Sequence, residues 1–242
     1  MKPDCDKERH RLALEPLRLP RFADRDASRP FVAALEGANG AGKTTLCRLL
    51  SRSLAAPACL GTDEAWFSDN FKTRMIRDAQ WFASAMFFLS GCLEQMRLLP
   101  GHRVPLVIMD RSLWSTLAVQ GAQSAGRLEA LLAMVRPVAA QIQVPDLTLV
   151  LEADFETCQS RIARKSGTAQ LLDGLTATAA FHEREQEFYH WLAGQRKEVL
   201  FLNANQAGPE NIAERASALI GQAARLQAPD RENGENRAGA AS

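Results

Sequence analysis

The stretch 31-FVAALEGANGAGKTTL-46 joins a continuous apolar run to a segment of small residues that contains one lysine and two threonines. Within it, Gly37, Gly42, Lys43 and Thr44 satisfy the spacing G-x-x-x-x-G-K-[ST], between an expected strand and an expected helix. Glycines allow backbone N–H groups to approach phosphate oxygens, because no Cβ stands in the way. The stretch therefore predicts a site for the phosphates of a nucleoside triphosphate.

The groups in this loop suit a triphosphate together with a magnesium ion. The helix that begins near Lys43 directs the positive end of its dipole towards the loop. We expect the Lys43 ammonium to bridge the β- and γ-phosphates and the Thr44 hydroxyl to bind Mg²⁺. The predicted ATP-binding residues are Gly37, Asn39, Gly40, Ala41, Gly42, Lys43, Thr44 and Thr45.

Short apolar runs alternate with longer helical patterns along the rest of the chain. The further runs are 57-PACLG-61, which is weak, 104-VPLVIMD-110, 146-DLTLVLE-152 and 199-VLFLN-203. The strong runs are nearly continuous in apolar residues, as expected of parallel strands buried on both faces. The helical patterns cover 43–54, 154–165 and 178–197, while 61–100 fits two helices or one bent helix. The order predicts a three-layer α/β fold with about five parallel strands flanked by helices.

Composition and charge set the wider expectations for the chain. Its 242 residues are 46% hydrophobic and 24% charged, with a formal net charge of +1. We therefore expect an ordinary globular core and no nucleic acid polymer or membrane as a partner. Five scattered cysteines and a charged, polar N-terminus predict a cytoplasmic protein. The expected division is a disordered arm at 1–29, one domain at 30–226 and a disordered tail at 227–242.

A second site must distinguish phosphate transfer from hydrolysis, because kinases, motors and GTPases share this kind of loop. The sequence contains no N-K-x-D motif of the kind that reads guanine. The run 104–110 ends in Asp110 and is followed by Arg111, where a water-activating ATPase would have a glutamate. An arginine at that place can grip phosphate oxygens, so Asp110 and Arg111 favour transfer.

A third cluster of charges lies on the helical pattern 154–165. Arg161, Arg164 and Lys165 are spaced i, i+3 and i+4, which places them on one helix face. Alone, this spacing is more typical of a solvated face. Together with the loop and Asp110-Arg111, the cations indicate a segment that neutralises the transferred phosphoryl group and excludes water.

These motifs, in this order, resemble the thymidylate kinases. The resemblance rests on 34-ALEGANGAGKTTL-46, 110-DRSLWSTLAVQG-121, 145-PDLTLVLEADFETCQSRIARK-165, 181-FHEREQEFYHWLA-193 and 202-LNANQAGPENIAERASALI-220. It implies a P-loop kinase fold with a short lid near 161–177, Mg-ATP as donor and a possible homodimer. It also implies that Asp110 supports Mg²⁺ and the acceptor, that Arg111 grips the acceptor phosphate, and that Gln120 lies near the acceptor base.

The chain departs from the thymidylate kinase pattern where that pattern reads its substrate. The loop aspartate that meets the acceptor sugar is Asn39 here, and the E-P-G-G-T segment after strand two is replaced by 61-GTDEAWFSD-69. The F-A-A-D-R segment aligns with 88-FLSGC-92, which contains no arginine. These departures put dTMP itself in doubt as the acceptor.

A second resemblance, to deoxynucleoside kinases, lies in two segments. Those enzymes have E-P-V-x-x-W after strand two, where this chain has Glu64 and Trp66, and E-R-S-x-Y-S after strand three, close to 110-DRSLWS-115. It implies that Glu64, or its neighbour Asp63, accepts the proton of a sugar 5′-hydroxyl, since a neutral hydroxyl needs a base. Trp66, with the aromatic residues at 81, 87 and 88, is either core or a stacking wall.

The sequence therefore predicts an ATP-dependent phosphotransferase acting on a nucleoside monophosphate or a related nucleotide. A nucleoside kinase and a nucleotide-binding switch without catalysis remain the alternatives. The predicted catalytic residues are Lys43, Arg111, Arg161, Arg164 and Glu64. The predicted acceptor-binding residues are Asn39, Glu64, Trp66, Asp110, Arg111 and Gln120, and the predicted metal ligands are Thr44 and Asp110.

Overall fold

The computed structural model describes residue 14 and residues 16–26, 28–60, 69–99, 103–164, 178–205 and 208–227. Five parallel strands form one sheet in the order β2-β3-β1-β4-β5. They are β1 (Phe31–Glu36), β2 (Ala58–Leu60), β3 (Leu106–Asp110), β4 (Leu147–Glu152) and β5 (Val199–Asn203). The predicted five-stranded parallel sheet is confirmed, and the weak run at 57–61 contributes its short edge strand.

Eight α-helices are described, seven between the strands and one after β5. They are α1 (Lys43–Ser53), α2 (Asp69–Arg77), α3 (Trp81–Leu98), α4 (Leu113–Thr116), α5 (Ala125–Val135), α6 (Phe155–Ala163), α7 (Ala179–Ala193) and α8 (Pro209–Gln227). A π-helical segment, Leu117–Gly121, continues α4, and a 3₁₀ turn, Arg136–Gln141, follows α5. The described part of the ambiguous region 61–100, residues 69–99, contains two helices, α2 and α3. Among the described residues, no helix is long and apolar enough to cross a membrane.

The core divides on the two faces of the sheet. On one face α1 and α8 cover β1, β4 and β5, around fully buried residues such as Leu50 and Ala216. A second cluster joins α3, α4, α5 and α7 around Trp114 and Phe188. A third, smaller cluster packs Val32 and Ala34 of β1 against Met96 of α3. Because both faces are covered, β1 is buried at every residue, which explains its continuous apolar sequence.

The described part of the expected N-terminal arm is packed rather than disordered. Leu14 and Phe22 are buried in the core, and the Phe22 ring meets Trp114 edge-on at 5.5 Å between centroids. Arg29 is buried beside Asp146 at the start of β4, with 2.6 Å between Nη1 and Oδ2. The expectation of disorder therefore does not hold for the described part of this segment. Leu14 and Phe22 pack into the core although many charged residues lie around them in the sequence. Residues 1–13 and 228–242 lie outside the described residues.

Candidate active site

The glycine-rich loop after β1 has a shape that only glycine permits at two positions. Gly37 and Gly40 have φ angles of 122° and 85°, in the left-handed region. A Cβ on Gly37 would stand 2.4 Å from the Leu151 carbonyl oxygen, and one on Gly40 would stand 2.5 Å from that of Cys158. The loop is thus pressed against β4 and α6, and its geometry fits the predicted triphosphate cradle.

Lys43 begins α1, and its side chain lies inside the loop. Its Nζ donates to the carbonyl oxygens of Gly37 and Ala38 at 2.5 and 2.7 Å, and the residue is buried. Burial, assisted by the nearby Arg111 and opposed by Asp110, lowers the pKa of Lys43 to about 7. A phosphate anion bound in the loop would favour the charged form of this amine again.

Thr44 and Asp110 meet beside the loop, as the sequence predicted for two metal ligands. The Thr44 Oγ1 donates to Asp110 Oδ2 at 2.8 Å, joining the first turn of α1 to the end of β3. A hydroxyl and a carboxylate are the hard oxygen ligands that Mg²⁺ takes, with phosphates and water completing its shell. Among the described residues no cluster of three or more acidic, histidine or cysteine side chains could hold a metal. This pair therefore fits an ion that arrives with ATP.

Arg111 is an electrostatic neighbour of Lys43 and has a strained backbone conformation. Its φ is 72°, which is uncommon for a residue with a side chain, and its N–H donates to Leu35 O at 3.1 Å. The guanidinium donates through Nη2 to Asn39 Oδ1 and through Nη1 to Ser115 Oγ at 3.3 Å. Arg111, the residue predicted to bind the acceptor phosphate, is therefore hydrogen-bonded to Asn39 of the glycine-rich loop.

Two buried acidic residues near Arg111, Glu36 and Glu185, were not predicted from the sequence. Glu36 closes β1 with no exposed surface and accepts hydrogen bonds from Ser112, Ser115 and the hydroxyl of Tyr189. Glu185, one turn before Tyr189 in α7, is also buried. The signal for Glu36 was available, because a charged residue at the end of a fully apolar strand calls for buried partners. Its pairing with Tyr189, 153 residues away, left no trace in local spacing.

The two predicted cations of α6 have different environments. Arg161 donates to the backbone carbonyls of Ala41 and Ala204 at 3.0 and 2.7 Å, so it ties α6 to the loop and to the end of β5. Arg164 follows the helix and is exposed. Lys165 lies outside the described residues, as does the rest of the expected lid, 166–177.

Gln120 lies in the π-helical segment and faces α3. Its Nε2 donates to the buried Ser84 Oγ at 3.0 Å. Of the aromatic residues on α3, Phe87 is buried and makes edge contacts with Phe71 and Phe88. This favours core packing for Phe87. Glu64 and Trp66, together with Asp63, lie outside the described residues, so their predicted roles stay predictions.

Sequence comparison shows which known proteins this chain resembles. The family model described as thymidylate kinase matches residues 82–216, more than half of the chain. The chain belongs to the thymidylate kinase family. It is 31% identical to the thymidylate kinase of Rhodopseudomonas palustris (strain ATCC BAA-98 / CGA009) over 208 residues, covering 79% of this chain and 87% of that protein. The thymidylate kinase of Mycoplasma pneumoniae is 27% identical over 202 residues, covering 78% and 95%.

Solved structures of nucleotide and nucleoside kinases share the fold of this thymidylate kinase family member. A deoxyadenosine kinase from M. mycoides has a TM-score of 0.63 at 16% identity, covering 79% of this chain and all of that one. A thymidylate kinase from Candida albicans has a TM-score of 0.59 at 18% identity, covering 80% and 92%. The predicted P-loop kinase fold is confirmed, and the protein is an ATP-dependent nucleotide phosphotransferase of the thymidylate kinase type.

Proposed function

We propose that the protein transfers the γ-phosphate of Mg-ATP to the phosphate of a nucleoside monophosphate. The observation that carries this proposal is the position of Arg111, whose guanidinium is held by Asn39 of the ATP loop and by Ser115. A guanidinium binds phosphate oxygens with two parallel hydrogen bonds. A second phosphate-binding cation, fixed beside the first phosphate site, favours an acceptor that already carries a phosphate.

The loop residues would hold the donor. Gly37, Asn39, Gly40, Ala41, Gly42, Thr45 and the start of α1 would surround its phosphates with N–H groups. Lys43 would pair with the β- and γ-phosphates, while Thr44 and Asp110 would hold the magnesium ion directly or through water. When bound, that ion neutralises charge on the bridging phosphate oxygens. Lys43 and Arg111 would then stabilise the charge that spreads over the transferred group.

The remaining predicted residues would act around this centre. Arg164 would supply charge from the end of α6, and Arg161 would act through the loop that it holds. Gln120 would lie near the acceptor base, where Ser84 fixes its amide. A homodimer remains a prediction, which sedimentation at assay concentrations would test.

The names of the relatives suggest which acceptor to test first. Those relatives are thymidylate kinases, so dTMP is the first candidate. The aligned segment 88–92 has no arginine to read thymine, so a monophosphate with another base is the main competitor. We expect at least one pyrimidine or purine deoxynucleoside monophosphate to be converted to its diphosphate.

The test is a panel of nucleosides and nucleoside monophosphates with Mg-ATP, with product identified by chromatography. Turnover of a monophosphate that Lys43→Ala abolishes would support the proposal. The Arg111→Lys variant should raise the KM for that monophosphate about ten-fold, because lysine cannot form the paired contact. Turnover of nucleosides alone would replace the proposal with a nucleoside kinase. ATP hydrolysis without any acceptor, or no turnover, would contradict phosphate transfer.

A further inference from the structure

Tyr189 is the only tyrosine of the chain and lies completely buried on α7. Its ring packs against Phe188 at 5.5 Å between centroids, and its hydroxyl donates to Glu36 Oε2 at 3.1 Å. Burial, with the acidic neighbours Glu36 and Glu185, raises the pKa of Tyr189 well above its usual value. The phenol therefore stays protonated and remains a donor throughout the working pH range.

Glu36 receives this hydrogen bond as one of four. Ser112 donates to Oε1 through its N–H at 2.8 Å and its hydroxyl at 2.6 Å. Ser115 Oγ and the Tyr189 hydroxyl donate to Oε2. Burial raises the pKa of this carboxyl, and the Ser112 and Ser115 donors and the charge of Arg111 oppose that rise. With every lone-pair site filled, the carboxylate has one orientation in which all of its donors are satisfied.

Ser115 passes this constraint to Arg111. A serine hydroxyl has one proton, and Ser115 gives it to Glu36. The Ser115 oxygen is therefore left as an acceptor, and it takes a hydrogen bond from Arg111 Nη1 at 3.3 Å. Three hydrogen bonds therefore link Tyr189 of α7 to the Arg111 guanidinium, through Glu36 and Ser115. We call this series of hydrogen bonds the relay.

The backbone of Arg111 needs such support. A residue with a side chain at a φ of 72° persists only where its surroundings hold it. The Glu36 carboxylate binds the adjacent residue, Ser112, through both its N–H and its hydroxyl. Loss of one donor to Glu36 would let the carboxylate turn and would loosen both the backbone and the side chain of Arg111.

We propose that Tyr189 is a positioning residue for the acceptor phosphate, acting through Glu36 and Ser115 to hold the Arg111 guanidinium in place. This rests on the proposed role of Arg111 as the acceptor-phosphate grip. Tyr189 does not touch the substrate; it sets the direction of the group that does. The relay also makes α7 part of the acceptor site, although α7 lies far along the chain from the loop and from Arg111.

The kinetic test uses Tyr189→Phe, which keeps the buried ring and removes one hydroxyl. We expect the acceptor KM to rise about five- to ten-fold, the size of one hydrogen bond to a charged group, while the Mg-ATP KM stays within about two-fold. The matched control is Ser51→Ala, which removes a hydroxyl bound to the Ala56 carbonyl at the far end of α1 and should change neither KM. An unchanged acceptor KM, or equal rises in both KM values, would overturn the proposal.

A second measurement does not depend on the folding of that variant. Because Tyr189 is the only tyrosine, protein grown with 3-fluorotyrosine gives one fluorine resonance from the relay. We expect this resonance to move in Arg111→Lys and to stay in place in Arg52→Lys, an exposed arginine of α1. An unchanged fluorine chemical shift in Arg111→Lys would show that Tyr189 is not coupled to Arg111 and would contradict the proposal. A resonance that moves while Arg111→Lys leaves the acceptor KM unchanged would support the relay and contradict the proposed function instead.

Discussion

Glu185 is a buried acid whose surroundings set its charge. It is only 3% exposed and lines a small pocket with Asn39 of the loop, Gln159 of α6 and His182 of α7. Burial raises the pKa of Glu185 from 4.5 to about 7, the nearby Glu36 adds to this rise, and Lys43 and Arg111 oppose it. Near neutral pH this carboxyl is therefore partly protonated.

The raised pKa of Glu185 predicts a stability that falls as the pH rises. Between about pH 4.5 and 7 the folded chain keeps a proton that the unfolded chain releases, so the free energy of unfolding declines across this window. For one proton the slope is at most about 1.4 kcal/mol per pH unit. Urea titrations at pH 5 and pH 7 should show a smaller decline in Glu185→Gln than in the wild type. An equal decline would contradict this assignment, and the exposed Glu183→Gln serves as control.

Gly40 carries a second prediction for a single residue. An alanine there would need a φ of 85° and would place its Cβ 2.5 Å from a backbone oxygen of α6. We expect Gly40→Ala to lower kcat/KM for ATP at least about ten-fold, since the loop must shift away from the phosphates. Gly126, in α5, is the matched control, because a Cβ there meets no atom within 4 Å. Gly126→Ala should leave activity unchanged, and an equal effect of both substitutions would contradict the steric argument.

Among the elements, α6 is tied to the ATP loop by Arg161. Its guanidinium donates through Nη1 to the Ala41 carbonyl oxygen and through Nη2 to that of Ala204. A lysine ammonium lacks this planar pair of donors. Arg161→Lys should therefore raise the Mg-ATP KM several-fold and lower the thermal midpoint by a few degrees. Steady-state kinetics and calorimetry check this. A lower kcat with an unchanged ATP KM and midpoint would show instead that Arg161 acts by charge on the transferred group.

The secondary-structure elements were predictable to different degrees. The strands were predictable because burial on both faces leaves a continuous apolar run, as in β1 and β4. The pattern 178–197 overran α7, which ends at Ala193, although Gly194 directly after it is a signal for the end of a helix. The π-helical segment that holds Gln120 has no local signature that separates it from an α-helix. It packs against α3 and α5.

The site was predictable where the chemistry is contiguous in the chain. The glycine-rich loop, Lys43 and Thr44 form a local motif. Asp110 ends β3, the strand next to β1, and Arg111 follows it directly. Glu36 stood out as a charged residue at the end of an apolar strand, but its pairing with Tyr189, 153 residues away, could not be predicted. The roles of Glu185 and Tyr189 likewise depend on contacts between distant segments. A charged residue in a strand and a tyrosine in a helix have ordinary structural uses, so only the tertiary arrangement gives them meaning.

At the scale of the whole molecule, the segment before β1 is fastened to the sheet by a buried ion pair. Arg29 Nη1 and Nη2 contact the two oxygens of Asp146 at 2.6 and 3.0 Å, and Asp146 also accepts the Val32 N–H at 2.8 Å. The side chains of Arg29 and Asp146 are 1% and 3% exposed. Asp146 thus binds both Arg29, in the segment before β1, and β1 itself. This contact lies at the amino-terminal ends of β1 and β4, whereas the glycine-rich loop follows the carboxyl-terminal end of β1.

Removing Arg29 would leave the Asp146 carboxylate buried without its main partner. We expect Arg29→Ala to lower the free energy of unfolding by about 3–5 kcal/mol, the usual cost of leaving one charge of a buried pair uncompensated. The ATP and acceptor KM values of the folded fraction should stay unchanged, since the pair lies at the opposite edge of the sheet from the phosphates.

Urea unfolding followed by tryptophan fluorescence measures this loss, with Arg21→Ala as the matched control. The Arg21 side chain is 86% exposed and lies 3.6 Å from Asp24, an exposed pair that contributes at most about 1 kcal/mol. A loss for Arg29→Ala no larger than that for Arg21→Ala would mean that Asp146 finds other partners, with Arg25, 3.4 Å away, as the nearest candidate. The double variant Arg25→Ala, Arg29→Ala would then show the full loss.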